Sequence, residues 1–317
     1  MNSKGILNYM TQESQSSLFR NGKVLTRRDL EGSDSRWIGV NFKEYEVVVN
    51  DARIHSPATL EKHGFELIKD DIEHLVIDFF DNDAVLLNYY PRCEDTVKNA
   101  IGARAVYAFD HNIRSAAGKK SKKMITGGQQ VQGPAHAVHG DYTLTSAPDR
   151  VSQLSKPPGK NDTIRSLIKE GQSLLPPAEV EEALNGGRFA IVNVWRSIVP
   201  DPVEINPLAL CDASKVHPDD LVVFEIHYAD RIGENYFAKH NANHSWWFYP
   251  KMNRTEALLI KQWDSEGGLA QSKGKKSDGE FPDSPCSFSF HSAFADPSTR
   301  DGAPDRWSME VRCIALF

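Results

Sequence analysis

The stretch AVHGDYTLTS, from Ala137 to Ser146, is predicted to be an inner strand of a β-barrel. Valine, tyrosine and threonine favour a strand, and the stretch contains no proline. Side chains two residues apart in a strand share a face, so His139 and Asp141 are expected to point together into the interior. Gly140 between them leaves room for a bulky group. The pair therefore offers one imidazole and one carboxylate of a 2-His-1-carboxylate site, which binds Fe(II) and keeps positions open.

A second His-x-Asp pair, His217 and Asp219, shows that the spacing alone proves nothing. With 11 histidines in 317 residues, about one such pair is expected by chance. Pro218 lies inside this second pair, and proline is excluded from inner strands. The surrounding serine and aspartates are typical of a turn. We expect His217 and Asp219 to lie on the surface.

On both sides of the first pair, the sequence predicts many short strands and few helices. Without strand–helix alternation, the pattern favours a mainly antiparallel β-protein, with a barrel or jelly roll flanked by helices. Helices are expected at 91–102 and, in two pieces, at 163–187. Strands are expected at 45–53, 84–90, 103–114, 188–198, 221–230, 244–250, 256–265, 286–294 and 306–317.

One domain is expected to span residues 1–317. Residues 1–35 are polar and charged, which indicates an N-terminal arm or surface hairpin. The segments 115–135 and 266–285 are rich in glycine and lysine and have no periodicity, so both are expected to be flexible loops. The first of them runs directly into His139 and is a candidate moving lid.

Composition and charge narrow the class of protein. The chain is 40% hydrophobic and 25% charged, with a net charge of −6, so no nucleic-acid partner is expected. No apolar run reaches the roughly 20 residues of a membrane helix, and no signal peptide is visible. The four cysteines form no CxxC pair, which indicates reduced thiols. These features predict a cytoplasmic protein, and we expect it to be a monomer or a homodimer.

A third metal ligand has to come from a distant histidine, and His291 stands out. In FSFHSAF, the phenylalanines at 288 and 290 take one strand face and His291 takes the other. In the last predicted strand, Arg306, Ser308 and Arg312 share one parity. A buried arginine there needs an anion, and a dicarboxylate cosubstrate would supply it through a bidentate contact. The alternative is that these arginines pair with nearby acids such as Glu310.

The ordered set formed by His139, Asp141, His291, Arg306 and Ser308 resembles the pattern of Fe(II)/2-oxoglutarate-dependent oxygenases, which have a double-stranded β-helix, or jelly-roll and cupin-like, fold. A likeness over nearly the whole chain is closer still. It resembles the AsaB-like hydroxylase/desaturase family, which includes CmcJ-like and gibberellin-desaturase-like proteins. The likeness is carried by YAFDHNIR (107–114), VHGDYT (138–143), VNVWRSI (192–198), NPLALCDASKV (206–216), NHSWWFYPKMNRTEALLIKQWDS (243–265) and FHSAFADPSTRDGAPDRWSMEVRCIALF (290–317).

The resemblance implies a dioxygenase that uses Fe(II), 2-oxoglutarate and dioxygen to hydroxylate or desaturate a small molecule in secondary metabolite biosynthesis. Arg306 would anchor the cosubstrate with Ser308, and Arg312 is a rival anchor because the gap between His291 and Arg306 is longer than in many relatives. Two alternatives stay open, namely an iron oxygenase that does not use 2-oxoglutarate and a jelly-roll binding protein without catalysis. Four further residues are candidate substrate contacts: Trp195, Arg196, Trp247 and Tyr249.

Overall fold

The computed structural model describes residues 2–30, 34–55 and 57–317, and most of its regular structure lies in two β-sheets. The smaller sheet is antiparallel, and its central strand is buried at every position. Strands that are buried on both faces read as continuous apolar runs, as this one does. The order of this sheet is β4 (Phe65–Lys69), β12 (Glu256–Asp264), β7 (Phe189–Ser197), β14 (Ser308–Leu316) and β5 (Ala105–Arg114).

The larger sheet has nine strands within the described residues, and its two shortest central strands carry the candidate site. Strands β6 (His139–Gly140) and β13 (His291–Ala293) pair with each other and lie between two longer strands, so their few residues are fixed from both sides. Its order is β1 (Ser3–Met10), β3 (Phe42–Asp51), β11 (Trp246–Phe248), β8 (Leu208–Cys211), β13 (His291–Ala293), β6 (His139–Gly140), β10 (Ile232–Ala238), β9 (Leu221–His227) and β2 (Leu25–Arg27).

Short helices flank the sheets, and the longest of them covers the outer face of the smaller sheet. Helix α3 contacts β5, β14 and β7, and its Cys93 and Val97 are buried there. The helices are α1 (Leu60–His63), α2 (Asn82–Asn88), α3 (Tyr90–Ile101), α4 (Ala116–Lys120), α5 (Ser146–Leu154), α6 (Pro177–Leu184) and α7 (Gly268–Gln271). This arrangement confirms the mainly β architecture with flanking helices.

Three local predictions are wrong. Of the strand expected at 137–146, only His139–Gly140 is a strand, and helix α5 begins at Ser146. The expected strand at 84–90 is helical, because the Asp81 carboxylate accepts a hydrogen bond from the Ala84 amide at 2.9 Å and caps helix α2. Its buried side chains Val85, Leu86 and Tyr89 follow helical spacing, a pattern that a short apolar run hides. Within the expected N-terminal arm, residues 3–10 form β1.

The N-terminal strand belongs to the core rather than to a surface hairpin. Leu7 and Tyr9 are fully buried, and the Tyr9 hydroxyl accepts a hydrogen bond from the Trp246 indole at 2.8 Å. Polar residues alternate with them on the opposite face, which gave this stretch its polar appearance. Residues 1 and 31–33 of the expected arm lie outside the described residues.

The two expected loops contain short ordered elements. The segment 115–135 includes α4, which is capped by the Ser115 hydroxyl, and a turn closed by a bridge between Met124 and Gln130. The segment 266–285 includes α7 and a 3-10 turn, whose Asp278 carboxylate accepts hydrogen bonds from the amides of Leu269 and Ser287. The mobility of both segments stays a prediction.

Candidate active site

The pairing of β6 with β13 brings two distant histidines together, since His139 lies directly opposite His291. Asp141 follows one residue after β6, and all three side chains are buried. One ligand atom from each residue can be chosen so that all three lie within 4.8 Å of one another. The Asp141 Oδ1 atom is 3.6 Å from Nε2 of His139 and 3.9 Å from Nε2 of His291. The three residues can therefore share one metal ion.

Hydrogen bonds orient the first histidine and the carboxylate toward one point. The His139 Nδ1 atom is 2.8 Å from the Ala137 carbonyl, which fixes Nδ1 as the donor and leaves Nε2 free to bind a metal. Asp141 Oδ2 accepts from the Asn193 amide at 3.0 Å and from Arg312 Nε at 3.2 Å. Because both donors hold Oδ2, Oδ1 is the oxygen that faces the imidazoles. The arrangement favours a carboxylate that binds through one oxygen.

The protonation states of the three residues suit metal binding at neutral pH. Burial raises the pKa of Asp141, but the Arg312 guanidinium and the two imidazoles together hold this pKa well below its usual range. Burial and the neighbouring imidazole lower the pKa of His139 to about 4, and burial lowers that of His291. An ionised carboxylate and neutral imidazoles are the forms that bind a metal ion.

The two candidate anchors of the cosubstrate have different surroundings. Every side of the Arg312 guanidinium is occupied, since it contacts Asp141, Asp110 at 2.9 Å and Glu310 at 2.8 Å. Arg306 is 3% exposed and forms no ion pair with a carboxylate of the described residues. Its Nη1 donates to the Asn206 carbonyl, while its Nε has no hydrogen-bond partner. Of the two candidates, Arg306 is the one whose guanidinium is not already held by carboxylates of the described residues.

The wall beside Arg306 is apolar. The guanidinium lies 5.7 Å from the Trp195 ring, which belongs to a buried cluster that also contains Leu210, Leu258 and Ile260. Burial and the nearby Arg114 charge lower the pKa of Arg306 to about 9. A buried cation without a partner is costly, so this environment favours an anionic ligand.

The other predicted substrate contacts are distributed over both faces of the smaller sheet. Trp195 faces the interior beside Arg306, and Tyr249 and Trp247 belong to the same apolar cluster. Arg196 lies on the opposite face, where its Nη1 donates to the Asp70 carbonyl at 2.8 Å and its guanidinium is 5.6 Å from the Tyr89 ring. The structure thus does not bring Arg196 to the metal-binding residues.

The second His-x-Asp pair is on the surface. The side chain of His217 is 52% exposed, and that of Asp219 is 87% exposed. The His217 Nδ1 atom accepts a hydrogen bond from the Asp219 backbone at 3.3 Å and so caps the 3-10 turn at Pro218–Asp220. This pair stabilises a turn and lies apart from the candidate site.

Two residues that orient Asp141 were missed by the sequence reasoning. Asn193 donates to its carboxylate, and the Gln262 side-chain oxygen accepts from its backbone amide at 3.1 Å. Both are fully buried in the middle of strongly apolar strands, β7 and β12. A lone amide in an apolar strand interior was the available signal, because a buried polar group requires a partner.

Several buried polar atoms at the candidate site have no hydrogen-bond partner, and they indicate whether a metal ion and an anionic cosubstrate would fit there. Within the described residues, the buried atoms without a hydrogen-bond partner include His291 Nδ1, Arg306 Nε and Ser308 Oγ. Two more, on Asn193 and Gln262, lie on the side chains that hold Asp141. Buried polar groups are otherwise satisfied in most proteins. The donor set and these unpartnered atoms fit an iron ion with 2-oxoglutarate beside it.

A cavity of about 170 Å³ opens beside the candidate ligands, with His139 and Asp141 in its wall. Neither Arg306 nor Ser308 lines it. A neighbouring cavity of about 460 Å³ shares Asn112, Gln129 and Asn161 with it. The shared residues connect the site with the segment 115–135. Small-molecule sites are commonly concave and largely pre-formed, as this one is.

Comparison with known proteins identifies the class and the family. The fold and the buried His-Asp-His set define an oxidoreductase of the Fe(II)/2-oxoglutarate-dependent dioxygenase class. The family model described as YDMC, oxidoreductase/YMDC permease-like domain, matches residues 7–316, and the chain belongs to this family. No helix in residues 2–30, 34–55 and 57–317 has the length and apolar character needed to cross a membrane.

Several curated proteins are similar to the chain. An uncharacterised protein in the dcmA 3′ region of Methylophilus leisingeri is 45% identical over 193 residues, which cover 61% of this chain and 89% of the relative. The alpha-ketoglutarate-dependent dioxygenase phiK of a fungal species is 29% identical and covers 81% of this chain and 79% of its own. The Fe(II)/2-oxoglutarate-dependent dioxygenase nvfI of Aspergillus novofumigatus is 29% identical, with coverage of 87% and 84%.

A solved structure confirms the predicted jelly-roll fold. The iron and alpha-ketoglutarate-dependent endoperoxidase NvfI superposes with a TM-score of 0.73, covering 99% of this chain and 98% of its own, at 22% identity. At this identity the superposition supports the fold. The enzyme class and its cofactors, Fe(II), 2-oxoglutarate and dioxygen, follow from the sequence relatives together with the buried His-Asp-His set.

Proposed function

We propose that this chain hydroxylates or desaturates a small specialised metabolite and couples that reaction to the oxidative decarboxylation of 2-oxoglutarate to succinate. The observation that carries the proposal is the buried set of His139, Asp141 and His291, whose ligand atoms approach one another within 4.8 Å. In this proposal the three residues hold Fe(II) and leave open positions for the other reactants.

The iron with its cosubstrate supplies dioxygen activation and an oxidant that can remove hydrogen from a substrate carbon. The protein's part is to hold and orient. Arg312 and Asn193 keep one oxygen of Asp141 occupied, so that the other oxygen is presented to the metal. The Ala137 carbonyl fixes the ring orientation of His139. Such supporting contacts set the geometry and basicity of the ligands.

Arg306 and Ser308 are proposed to hold the distal carboxylate of 2-oxoglutarate. Arg306 is supported by its lack of a carboxylate partner among the described residues and by its unpartnered Nε. The buried Ser308 hydroxyl also lacks a partner and adds a donor. The adjacent apolar cluster around Trp195 and Leu210 would exclude water from the carbon chain of the cosubstrate. Exclusion of water strengthens the interaction between the guanidinium and the carboxylate.

The proposal is tested by anaerobic titration of the purified protein with Fe(II) and 2-oxoglutarate. We expect a weak visible charge-transfer band in the wild type and no band in His139→Ala. His217→Ala is the matched control, because it removes the surface histidine of the other His-x-Asp pair and should leave the band unchanged.

The same titration separates the alternatives. Iron binding without a band at saturating 2-oxoglutarate would overturn the cosubstrate assignment and favour an iron oxygenase of another kind. Failure to bind iron in the wild type would overturn the proposal as a whole and favour a binding protein.

We also propose that residues 1–317 form a single oxygenase domain, supported by strands from both ends of the chain that lie in the two sheets. A reducing, cytoplasmic location is proposed on the basis of four buried cysteines that are all free thiols. Association as a monomer or a homodimer stays a prediction, and a mass measurement in solution tests it.

A further inference from the structure

The cavity next to His139 and Asp141 is lined mainly by polar side chains, and arginines are prominent among them. Active-site cavities for small molecules are ordinarily apolar with a few placed polar groups. The same wall also holds four acids, Asp110, Asp141, Asp149 and Glu234, so the arginines of interest are those that no acid neutralises. The lining arginines are Arg28, Arg114, Arg150, Arg231 and Arg312.

Most of these guanidiniums have a carboxylate partner. Arg312 has the three partners described above, and Arg28 forms a two-pronged contact with Asp34 at 2.6 and 3.0 Å. Arg150 and Arg231 share a single carboxylate, Asp162, at 2.8 and 3.3 Å. Arg231 also reaches Asp230, at 3.9 Å. These four guanidiniums are therefore paired with acids of the chain.

Arg114 differs from the other four. It forms no ion pair with a carboxylate in the described part of the chain, and its Nη1 donates a hydrogen bond to the Gly133 carbonyl at 3.0 Å. It lies at the end of β5, opposite Ser308, and faces the cavity. Burial lowers its pKa, and the charges of Arg312 and Arg28 act in the same direction, while the Glu310 and Asp141 carboxylates oppose them without forming an ion pair. A guanidinium in this position is stabilised by an anion.

We propose that this cavity binds a substrate carrying a carboxylate- or phosphate-type anion, with Arg114 as its principal contact. The inference rests on the proposed oxygenase function, and it names the substrate class that the function leaves open. Apolar side chains in the same wall, including Phe109, Ile226 and Ile232, would contact a short carbon skeleton. The anion would be held within reach of the iron ligands, so the skeleton next to it is the part exposed to oxidation.

The test uses the anaerobic protein with Fe(II) and saturating 2-oxoglutarate, so that no turnover occurs. Three probes of similar size are titrated by ligand-observed NMR: 3-phenylpropanoate, phenyl phosphate and the neutral 3-phenylpropanamide. We expect at least one anion to bind about tenfold or more tightly than the amide, since charge-assisted hydrogen bonds are roughly twice as strong as neutral ones. The carboxylate and phosphate arms show which anion the site prefers.

Variants connect the preference to one side chain. Arg114→Met should remove the preference for the anion, and Arg114→Lys should retain part of it because it keeps the charge. Arg27→Met, at an exposed position of β2, is the control and should change neither affinity. A preference that survives in Arg114→Met, equal binding of the amide, or failure of both anions to bind would overturn the inference.

Failure of the inference is separable from failure of the proposed function. If only the inference fails, the charge-transfer band and the affinity for 2-oxoglutarate persist in the wild type. If Arg114→Met weakens 2-oxoglutarate binding and leaves probe binding unchanged, Arg114 belongs to the cosubstrate site and the inference is overturned. Absence of the band in the wild type instead contradicts the proposed function.

Discussion

Arg306 lies just before the last strand and Arg312 lies in the middle of it, and the two arginines have opposite surroundings. Arg312 contacts three carboxylates, one of which belongs to the candidate iron ligand Asp141. Arg306 contacts a backbone carbonyl and an indole face, and no carboxylate of the described residues lies within ion-pair distance of it. Arg312 is therefore suited to position a ligand of the metal, whereas Arg306 is suited to bind an anion.

The difference shows that a buried arginine in an oxygenase fold is not by itself evidence of a cosubstrate site. What decides its role is whether acids of the same chain already neutralise it. By the same criterion, Arg114 is an anion-binding candidate in the wall of the cavity that His139 and Asp141 also line.

The largest effect is expected from His291→Ala, which removes one of the three candidate iron ligands. Iron affinity should fall by more than the roughly 10- to 100-fold that a supporting contact contributes. Anaerobic iron titration measures the change. Retained iron affinity in the folded variant would show that another residue completes the iron site. The roles given to Arg306 and Arg312 would then have to be assigned again, because both were argued relative to an iron site that includes His291.

Arg306→Met is expected to weaken 2-oxoglutarate binding by about 100-fold while iron still binds, because truncating a buried charged contact costs roughly 2–5 kcal/mol. The measurement is the 2-oxoglutarate dependence of the charge-transfer band.

In Arg312→Lys, iron affinity and the melting temperature should fall while the affinity for 2-oxoglutarate changes little. The reverse pattern would make Arg312 the anchor.

Asn193→Ala tests whether the side chains that hold Asp141 position it for iron binding. It removes one of the two donors to Asp141 Oδ2 and should weaken iron binding about tenfold, with little change in affinity for 2-oxoglutarate. Isothermal titration with Fe(II) under anaerobic conditions measures it. An unchanged iron affinity would indicate that Arg312 alone orients the carboxylate.

The smallest effect concerns His111, which lies on the outer face of the same sheet. Burial lowers its pKa to about 4, and its Nδ1 is 3.0 Å from the Tyr90 hydroxyl. An unfolded histidine titrates near 6.5, so the unfolded state binds more protons between these values, and stability is lost as the pH falls from about 6.5 to 4.

As the pH falls from 7 to 5, protonation of His111 in the unfolded state should lower the free energy of unfolding by about 2 kcal/mol. Urea unfolding of the metal-free protein measures the loss, and His111→Gln should reduce it. An identical pH slope in the variant would place the pH sensitivity in the interior near the metal-binding residues rather than on the outer face.

Much of the candidate site could be predicted from local pattern. Parity along the predicted strands grouped His139 with Asp141, and Arg306 with Ser308 and Arg312, although Asp141 lies just after β6 and Arg306 just before β14. The expected strand at 84–90 failed, because a short apolar run carries no periodicity and only the Asp81 cap distinguishes the helix. Asn193 was missed because an amide in an apolar strand does not reveal which group it contacts.

The sequence by itself determined which residue types are present and which side chains share a face, since both follow from local backbone geometry. It thereby specified the His-x-Asp pair, the distant His291 and two candidate arginines. Only the tertiary structure decided that Arg312 is neutralised and that Arg306 and Arg114 are not. Partners of a buried charge come from strands far apart in the chain, and their distances are set by how the two sheets pack across the site.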